Sequence, residues 1–444
     1  MPARVRSWHF GVLPFRGTGH INPLVALGQE LLRRGHRVTF FERPKIRDRI
    51  VSAGLGFVPV CADRGEPASP LPLTRSGIAA EIAMLRFNLQ RVAGDVEQYL
   101  RETPRLLREA GIDALIVDEI ALAGPTIAQC LGLPYFLLST SVPHNCGWGA
   151  LAWLSGHRYI GSAISALEIA LLDVSATRVR GPLRRRLQRA RKRAGLGPLR
   201  TLRNSYPPLA QITQLPRCLD FPHAMLPANC HYAGPLTSRE PRFAVNFPWS
   251  RLDGRPLAYV TLGTTRNAQP ELLRTIAEAC QDFDLQLVIS LGGRFRPEDF
   301  AALPGRPVVV AFAPQAELLR RARIVITHAG ANTVFETLLE GKPMVAIPLA
   351  HDQPAMAARV ARAGAAKVLP VMRLSTPRVR AAVAAVLHDS AYGDAAAALQ
   401  EKLRAIDGPA CAAQIIEESL AGHAADQAIR VTASRDPIAS FRSL

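Results

Sequence analysis

Two trains of alternating strands and helices, separated by a proline-rich stretch, constrain the fold of this chain more than any other feature. In the first train, residues 8–13 read as a buried strand, 23–34 as an amphipathic helix ended by Gly35, and 37–41 as the next strand. Residues 114–117 and 135–138 are further strands, with a helix over 124–131 between them. Short, continuously apolar strands that alternate with helices are buried on both faces, which a doubly wound parallel sheet provides. After the prolines of 207–256 the alternation restarts. Strands fall at 257–262, 285–291, 308–312, 324–327 and 344–347, with helices at 270–280 and 333–339 and closing helices at 354–363, 376–387 and 395–405. The expected class is α/β, with two Rossmann-like domains.

A length of 444 residues suits two domains of roughly 200 residues each. The expected boundaries are 1–235, carrying a helical basic insertion near 145–204, then 236–421, then a tail over 422–444 that has no periodicity and is expected to be disordered. The longest apolar run, 159–172, is short and carries Glu168, so no transmembrane helix is expected. The apolar stretch 10–15 is too short for a signal-peptide core and runs into Arg16, so the protein is expected in the cytoplasm. Seven cysteines, without any Cys-x-x-Cys pair, argue against a disulfide framework and against a zinc site.

The net charge of +18 is concentrated in one place. The 178–203 segment, which opens on Arg178 and closes on Arg203, holds eleven Lys or Arg and no acid, including Arg184, Arg185, Arg186, Arg189, Arg191, Lys192 and Arg193. Nucleic acid, anionic lipid or an acidic partner would each account for it. A solvated helix face in an Arg-rich sequence accounts for it as well. Leu183, Leu187, Ala190 and Ala194 recur there at helical spacing, as a stripe that would face either a bilayer or the domain.

Ligands of open α/β sheets gather at the carboxyl ends of the strands. After the first strand comes Arg16-Gly17-Thr18-Gly19-His20-Ile21-Asn22-Pro23. Gly17 and Gly19 permit a tight turn, Asn22 suits an N-cap and Pro23 the first helical position. His20 then sits at the turn, where the helix end favours the neutral imidazole that a general base needs. A dinucleotide site competes here, with Glu42 at the end of the second strand, but Gly17-x-Gly19-x-x-Asn22 lacks the third, close-packing glycine. Asp118 ends the strand 114–117 on the same rim and would hold the imidazole tautomer. Two other readings stay open: Asp118 caps the next helix, or the neighbouring Glu119 is the partner.

In the second train three successive strand ends carry Phe312-Ala313-Pro314-Gln315, then His328-Ala329-Gly330-Ala331-Asn332-Thr333-x-x-Glu336, then Pro348-Leu349-Ala350-His351-Asp352-Gln353. A glycine turn entering a helix offers free backbone N–H groups and the positive end of the helix dipole to an anion. Thr333 and Glu336 also fit a capping box, which needs no ligand.

The stretch from Phe312 to Gln353 resembles the donor-binding signature of family 1 glycosyltransferases, the UDP-glycosyltransferase superfamily, and within it the bacterial zeaxanthin glucosyltransferase-like enzymes. The likeness extends from Gly17 to Pro23 and through Tyr259-Val260-Thr261-Leu262-Gly263-Thr264. It implies the GT-B architecture, with two Rossmann-like domains facing each other across a donor/acceptor cleft. It also implies an inverting, metal-independent hexosyltransferase that needs no cofactor beyond its co-substrate, a nucleotide sugar such as UDP-glucose. By this resemblance His20 deprotonates the acceptor and Asp118 supports it. Thr264, His328, Asn332 and Thr333 hold the diphosphate, Glu336 the ribose, Phe312 and Ala313 the base, and Asp352 with Gln353 the sugar hydroxyls, with Gly19, Gln315 and Gly330 also in the donor site. Phe312 stands where the family often has Trp, and Ala331 where plant members have one.

The acceptor implied is a lipophilic alcohol, with a hydroxylated carotenoid leading, and the 178–203 segment suits an anionic membrane surface on the cytoplasmic face. No nucleic acid is expected. A soluble phenol or macrolide is the alternative acceptor. A nucleotide-sugar epimerase and a non-catalytic binder of anionic surfaces are alternatives of other classes. Asp282-x-Asp284 mimics a metal-binding pair but precedes its strand, at the end away from such sites.

Overall fold

A computed structural model describes residues 6–61, 94, 96–143, 181–198, 207–222, 226–238, 245–263, 270–293, 295–349 and 352–434. It contains two parallel sheets. The first is built from β1 (His9–Leu13), β2 (Arg37–Glu42), β3 (Gly56–Pro59), β4 (Ala114–Asp118), β5 (Tyr135–Ser139), β6 (Ala210–Thr213) and β7 (Cys230–Tyr232). Their order is β3-β2-β1-β4-β5-β6-β7. The second holds β8 (Leu257–Thr261), β9 (Gln286–Ser290), β10 (Val308–Val310), β11 (Ala322–Thr327), β12 (Met344–Ala346) and β13 (Ala366–Val368) in the order β10-β9-β8-β11-β12-β13. Strand order reverses once in each sheet, between β1 and β4 and between β8 and β11. The crevice outside the carboxyl ends of these neighbours is where such sheets bind ligands.

The central strands are largely apolar because helices cover both faces. Every residue of β1, β4 and β8 is buried. Alternate residues of the second sheet pack in opposite directions, as the pleat requires. Val260, Ile289 and Ile326 meet Leu273 and Ile276 of the helix Pro270–Cys280, whereas Tyr259, Val288 and Val325 meet Phe335 and Leu338 of the helix Ala331–Leu339.

Several expectations need correction. The first helix runs Thr18–Arg33, so Asn22 and Pro23 lie inside it and Gly17, at a φ of 145° that suits glycine, is its N-cap. The proline-rich region contributes β6 and β7 to the first sheet and is more than a linker. Its Leu215 and Leu219, with Val142, sit in one buried cluster with Phe247, Leu257 and Leu318 of the second domain. The last helix, Gly408–Ser434, returns to the first domain, where Ala412, Ala413, Ile416 and Leu420 pack against Leu24, Leu27 and Leu31. Glu417 fixes it there, accepting from Arg34 Nη1 at 2.7 Å and pairing with His36 Nε2 at 3.1 Å. Residues 422–434 are therefore helical, where a disordered tail was expected. An alanine-rich stretch with no sharp apolar stripe still forms helix when tertiary contacts start it. Residues 435–444 lie outside the described part.

The helix Gly181–Arg193 lies within the expected basic insertion, most of which is outside the described residues. Of its stripe, Leu187 faces the protein. Leu187 joins the cluster of Ile127 and Ala128, and Arg191, only 1% exposed, donates to Gln129 Oε1 at 2.8 Å, Gly197 O at 2.9 Å and Thr126 Oγ1 at 3.4 Å. Ala194 is exposed, and the Leu183 side chain is outside the described part. Arg184, Arg185, Arg189, Lys192 and Arg193 point outward, while Arg186 pairs with Glu97 at 3.7 Å.

Candidate active site

β1 and β4 bring His20 and Asp118 to one rim. The strands run in register from Phe10 beside Ala114 to Leu13 beside Val117, so Asp118 ends where the β1 loop turns into its helix. His20 Nδ1 lies 2.9 Å from Asp118 Oδ2 and 2.8 Å from Thr140 Oγ1. A carboxylate only accepts, so Nδ1 carries the proton and Nε2 keeps its lone pair for an acceptor hydroxyl. Asp118 is 1% exposed, and its Oδ1 accepts from Ile120 N at 2.9 Å. It thus steadies the loop after β4 rather than capping a helix, and it is Asp118, not Glu119, that holds His20.

The His20 pKa is raised above the ordinary imidazole value. Burial alone would lower it, but the Asp118 charge and hydrogen bond outweigh burial, and Asp352 and Glu119 add to them. The expectation that the helix end would keep His20 neutral is corrected: nearby carboxylates dominate the helix dipole.

Across the cleft, β11 ends in His328-Ala329-Gly330. Ala329 holds a left-handed φ of 62°, kept by its N–H donating to Thr327 Oγ1 at 3.2 Å, and turns the chain into the helix Ala331–Leu339. That helix has no side-chain N-cap, and its first internal bond runs from Val334 N to Gly330 O. The N–H groups of residues 331–333 therefore have no helical acceptor. Thr333 is the third helical residue, so the capping box is excluded. Glu336 instead accepts from Gln315 Nε2 at 2.7 Å, and Gln315 Oε1 accepts from Tyr259 OH at 3.3 Å.

The His328 ring occupies space left by two glycines. A Cβ on Gly263 would stand 2.6 Å, and one on Gly330 2.4 Å, from its Nε2. Burial holds its pKa below the ordinary value, against the Thr261 carbonyl and Asp352. Phe312 is 56% exposed and rests on Gly293, an aromatic face open to a planar base, with Ala313 half-buried beside it. Asp352 accepts from Ser141 Oγ across the cleft, while Gln353 Oε1 accepts from Leu349 N at 2.8 Å. Gly19 O accepts from Asn332 Nδ2 at 2.8 Å. Thr264, Ala350 and His351 lie outside the described residues.

Beyond Phe15, whose ring edge meets His20 at 5.0 Å between centroids, a pocket opens at the ends of β1, β2 and β4. Leu13, Val96, Ile120 and Leu122 line it, with buried Glu42, half-buried Tyr99 and the arginines Arg16 and Arg43 as polar members. Burial raises the Glu42 carboxyl above its ordinary pKa. Sequence reasoning missed Thr140, Ser141 and Gln214. A run of hydroxyls just past β5, on the rim already holding Asp118, was the available signal for the first two. Among the described residues no group of three His, Cys, Asp or Glu side chains could hold a metal, and Asp282 pairs with Arg380 at 2.7 Å on the opposite rim. No described helix is long and apolar enough to cross a membrane.

A base on one rim, facing an anion-receiving helix end on the other across two doubly wound domains, suits transfer of a group that leaves on a phosphate. That is the arrangement of the GT-B glycosyltransferases. The solved structure of the glycosyltransferase of kitacinnamycin has the same fold, with a TM-score of 0.71 at 24% identity, covering 93% of this chain and 99% of that one. The family model described as UDP-glucoronosyl and UDP-glucosyl transferase matches residues 209–404. Zeaxanthin glucosyltransferase of Pantoea ananas is 32% identical over 421 residues, 92% of this chain and 95% of that protein. Its counterpart from Pseudescherichia vulneris is 29% identical over 417 residues, 93% and 98% of the two chains. The chain belongs to this family of glycosyltransferases. It is a transferase enzyme similar to the zeaxanthin glucosyltransferases.

Proposed function

We propose that the protein transfers a hexose, glucose from UDP-glucose, with inversion and without a metal, to the hydroxyl of a lipophilic acceptor such as a hydroxylated carotenoid. The observation that carries this reading is the His20–Asp118 pair at 2.9 Å, set opposite the open N-terminus of the helix Ala331–Leu339. His20 Nε2 takes the acceptor proton, and Asp118 stabilises the imidazolium that results. The freed oxygen attacks the anomeric carbon in line, so configuration inverts. The diphosphate leaves towards the backbone N–H groups of residues 331–333, with His328, Thr333 and Gly330 beside it, and these donors meet the charge that develops on the leaving group. Glu336, oriented by Gln315, takes the ribose hydroxyls, Phe312 and Ala313 take the base, and Asp352 with Gln353 take the sugar hydroxyls.

The apolar lining of the pocket beyond Phe15 supports a lipophilic acceptor. The exposed bases of the helix Gly181–Arg193 support attachment to an anionic membrane from the cytoplasmic side, where such an acceptor would be met. The test is a donor panel run against zeaxanthin in vesicles and against soluble phenols and macrolides, with product detection. Transfer from UDP-glucose to zeaxanthin is expected. Good turnover on soluble acceptors alone would reject the carotenoid. Donor conversion with no acceptor would favour an epimerase.

A further inference from the structure

We infer that Asn332 and Gln214 are positioning residues that register the donor domain on His20. The inference deepens the proposed mechanism and rests on His20 being the base.

Asn332 is half-buried at the second position of the helix Ala331–Leu339. Its Nδ2 donates to Gly19 O at 2.8 Å and its Oδ1 accepts from Gln214 Nε2 at 2.9 Å. The same Gln214 Nε2 donates to Thr140 O, and Gln214 Oε1 accepts from Leu236 N at 3.4 Å. The amide orientations follow from chemistry, because Gly19 O and Thr140 O can only accept and Leu236 N can only donate. Gly19 precedes His20 in the chain, and the Thr140 hydroxyl touches His20 Nδ1 at 2.8 Å. One carboxamide of the donor domain therefore holds the base from two sides.

Pro23 explains why Gly19 O is available. In a helix this carbonyl would accept from the N–H four residues on, but residue 23 is proline and has none. A proline inside the first helix thus leaves one acceptor at the cleft, and the second domain supplies its donor. Gln214, 1% exposed, faces Asn332 with an N–H that no other described residue takes up besides Thr140. Burying such an amide without partners is costly, so its bonds fix the geometry of all four groups.

The test compares Asn332→Ala, Gln214→Met and the double variant with the parent. UDP is titrated calorimetrically, turnover is split into kcat and donor KM, and the interdomain distance is read between spin labels carried on ketone-bearing non-natural residues at Val51 and Gln281. Displacing a reacting group by about 1 Å costs on the order of 10²-fold. Each single variant should therefore lose about 10- to 100-fold in kcat, with UDP affinity and donor KM within about threefold of the parent. The double variant should be no slower than the slower single, because both act through one contact. The label distance should broaden in both singles. UDP binding at least tenfold weaker in Asn332→Ala, with an unchanged label distance, would overturn the inference and return Asn332 to the diphosphate. Where Gln214→Met does not fold, Asn332→Ala alone still decides between these results. The distance is measured without turnover. A distance change alongside an active His20→Ala variant would therefore reject the base and keep the contact, and the reverse pair of results would do the opposite.

Discussion

The ring of Phe312 closes over Gly293 so tightly that a Cβ on the glycine would stand 2.1 Å from Cζ. Gly293 also holds a φ of 80°, which a side chain would strain. The exposed ring is therefore seated from behind by bare backbone, with its other side free.

If that ring carries the base, its removal costs a stacking interaction of about 1–3 kcal/mol, or roughly 5- to 150-fold in affinity. Phe312→Ala should weaken UDP binding by that range, and Gly293→Ala should do the same by pushing the ring off its seat. Phe312→Trp should bind at least as well as the parent. Calorimetric titration with UDP checks all three, and unchanged affinity in Phe312→Ala would remove the ring from the site.

With His20 as the proposed base, the reaction takes its pH dependence from this imidazole. Its pKa is raised, so the base is neutral and active above that value and is lost as pH falls through it. The acidic limb of kcat/KM should therefore lie above the ordinary imidazole value near 6.5. His20→Ala should lose at least about 10²-fold in turnover while UDP affinity holds. Asp118→Asn removes the charge that raises the pKa, so any residual activity should have its acidic limb shifted to lower pH. A limb that moves upward in Asp118→Asn would contradict this electrostatic account.

Much of this site is legible in the sequence, and the reason is topological. Parallel strands all end on one rim, so a His after β1 and an Asp ending β4 must approach once β1 and β4 are neighbours. Phe312, His328, Glu336 and Asp352 are found by the same logic in the second sheet. Contacts made by small polar groups across the cleft were not legible. Nothing in the identity of Gln214 distinguishes it from an ordinary buried polar residue until both domains are docked. The start of the first helix was misread because Pro23 usually marks a first turn. Here glycines at 17 and 19 let the helix begin earlier, and the proline sits inside it. The last helix escaped because its apolar residues face the first domain, more than 370 positions away in sequence, as the 2.7 Å bond between Arg34 and Glu417 records.

Metal independence follows if backbone donors alone can carry the leaving group. Activity should survive excess chelator, because the N–H groups of residues 331–333 and the helix dipole face the developing charge. Loss of turnover on chelation, restored by magnesium, would contradict it. The measurement needs only the parent enzyme and its donor.

The helix Gly181–Arg193 should separate into two kinds of basic residue. Arg191 is buried, and its partners Gln129 Oε1 and Gly197 O would be left without their donor in Arg191→Met, a loss of about 1–3 kcal/mol of stability. The outward Arg184, Arg185, Arg189, Lys192 and Arg193 are exposed, and exchanging all five for Gln should change thermal unfolding less than Arg191→Met alone does. At about 1 kcal/mol per base near an anionic surface, those five would supply most of any membrane attachment, and screening would remove it as salt rises. Liposome flotation should therefore capture the parent and Arg191→Met on anionic vesicles at low salt, but not on neutral vesicles and not at high salt. The five-fold Gln variant should remain in solution under all conditions and should lose turnover on zeaxanthin in vesicles, while retaining it on the same acceptor in detergent. A parent that ignores anionic vesicles would leave the helix as a solvated face anchored by Arg191.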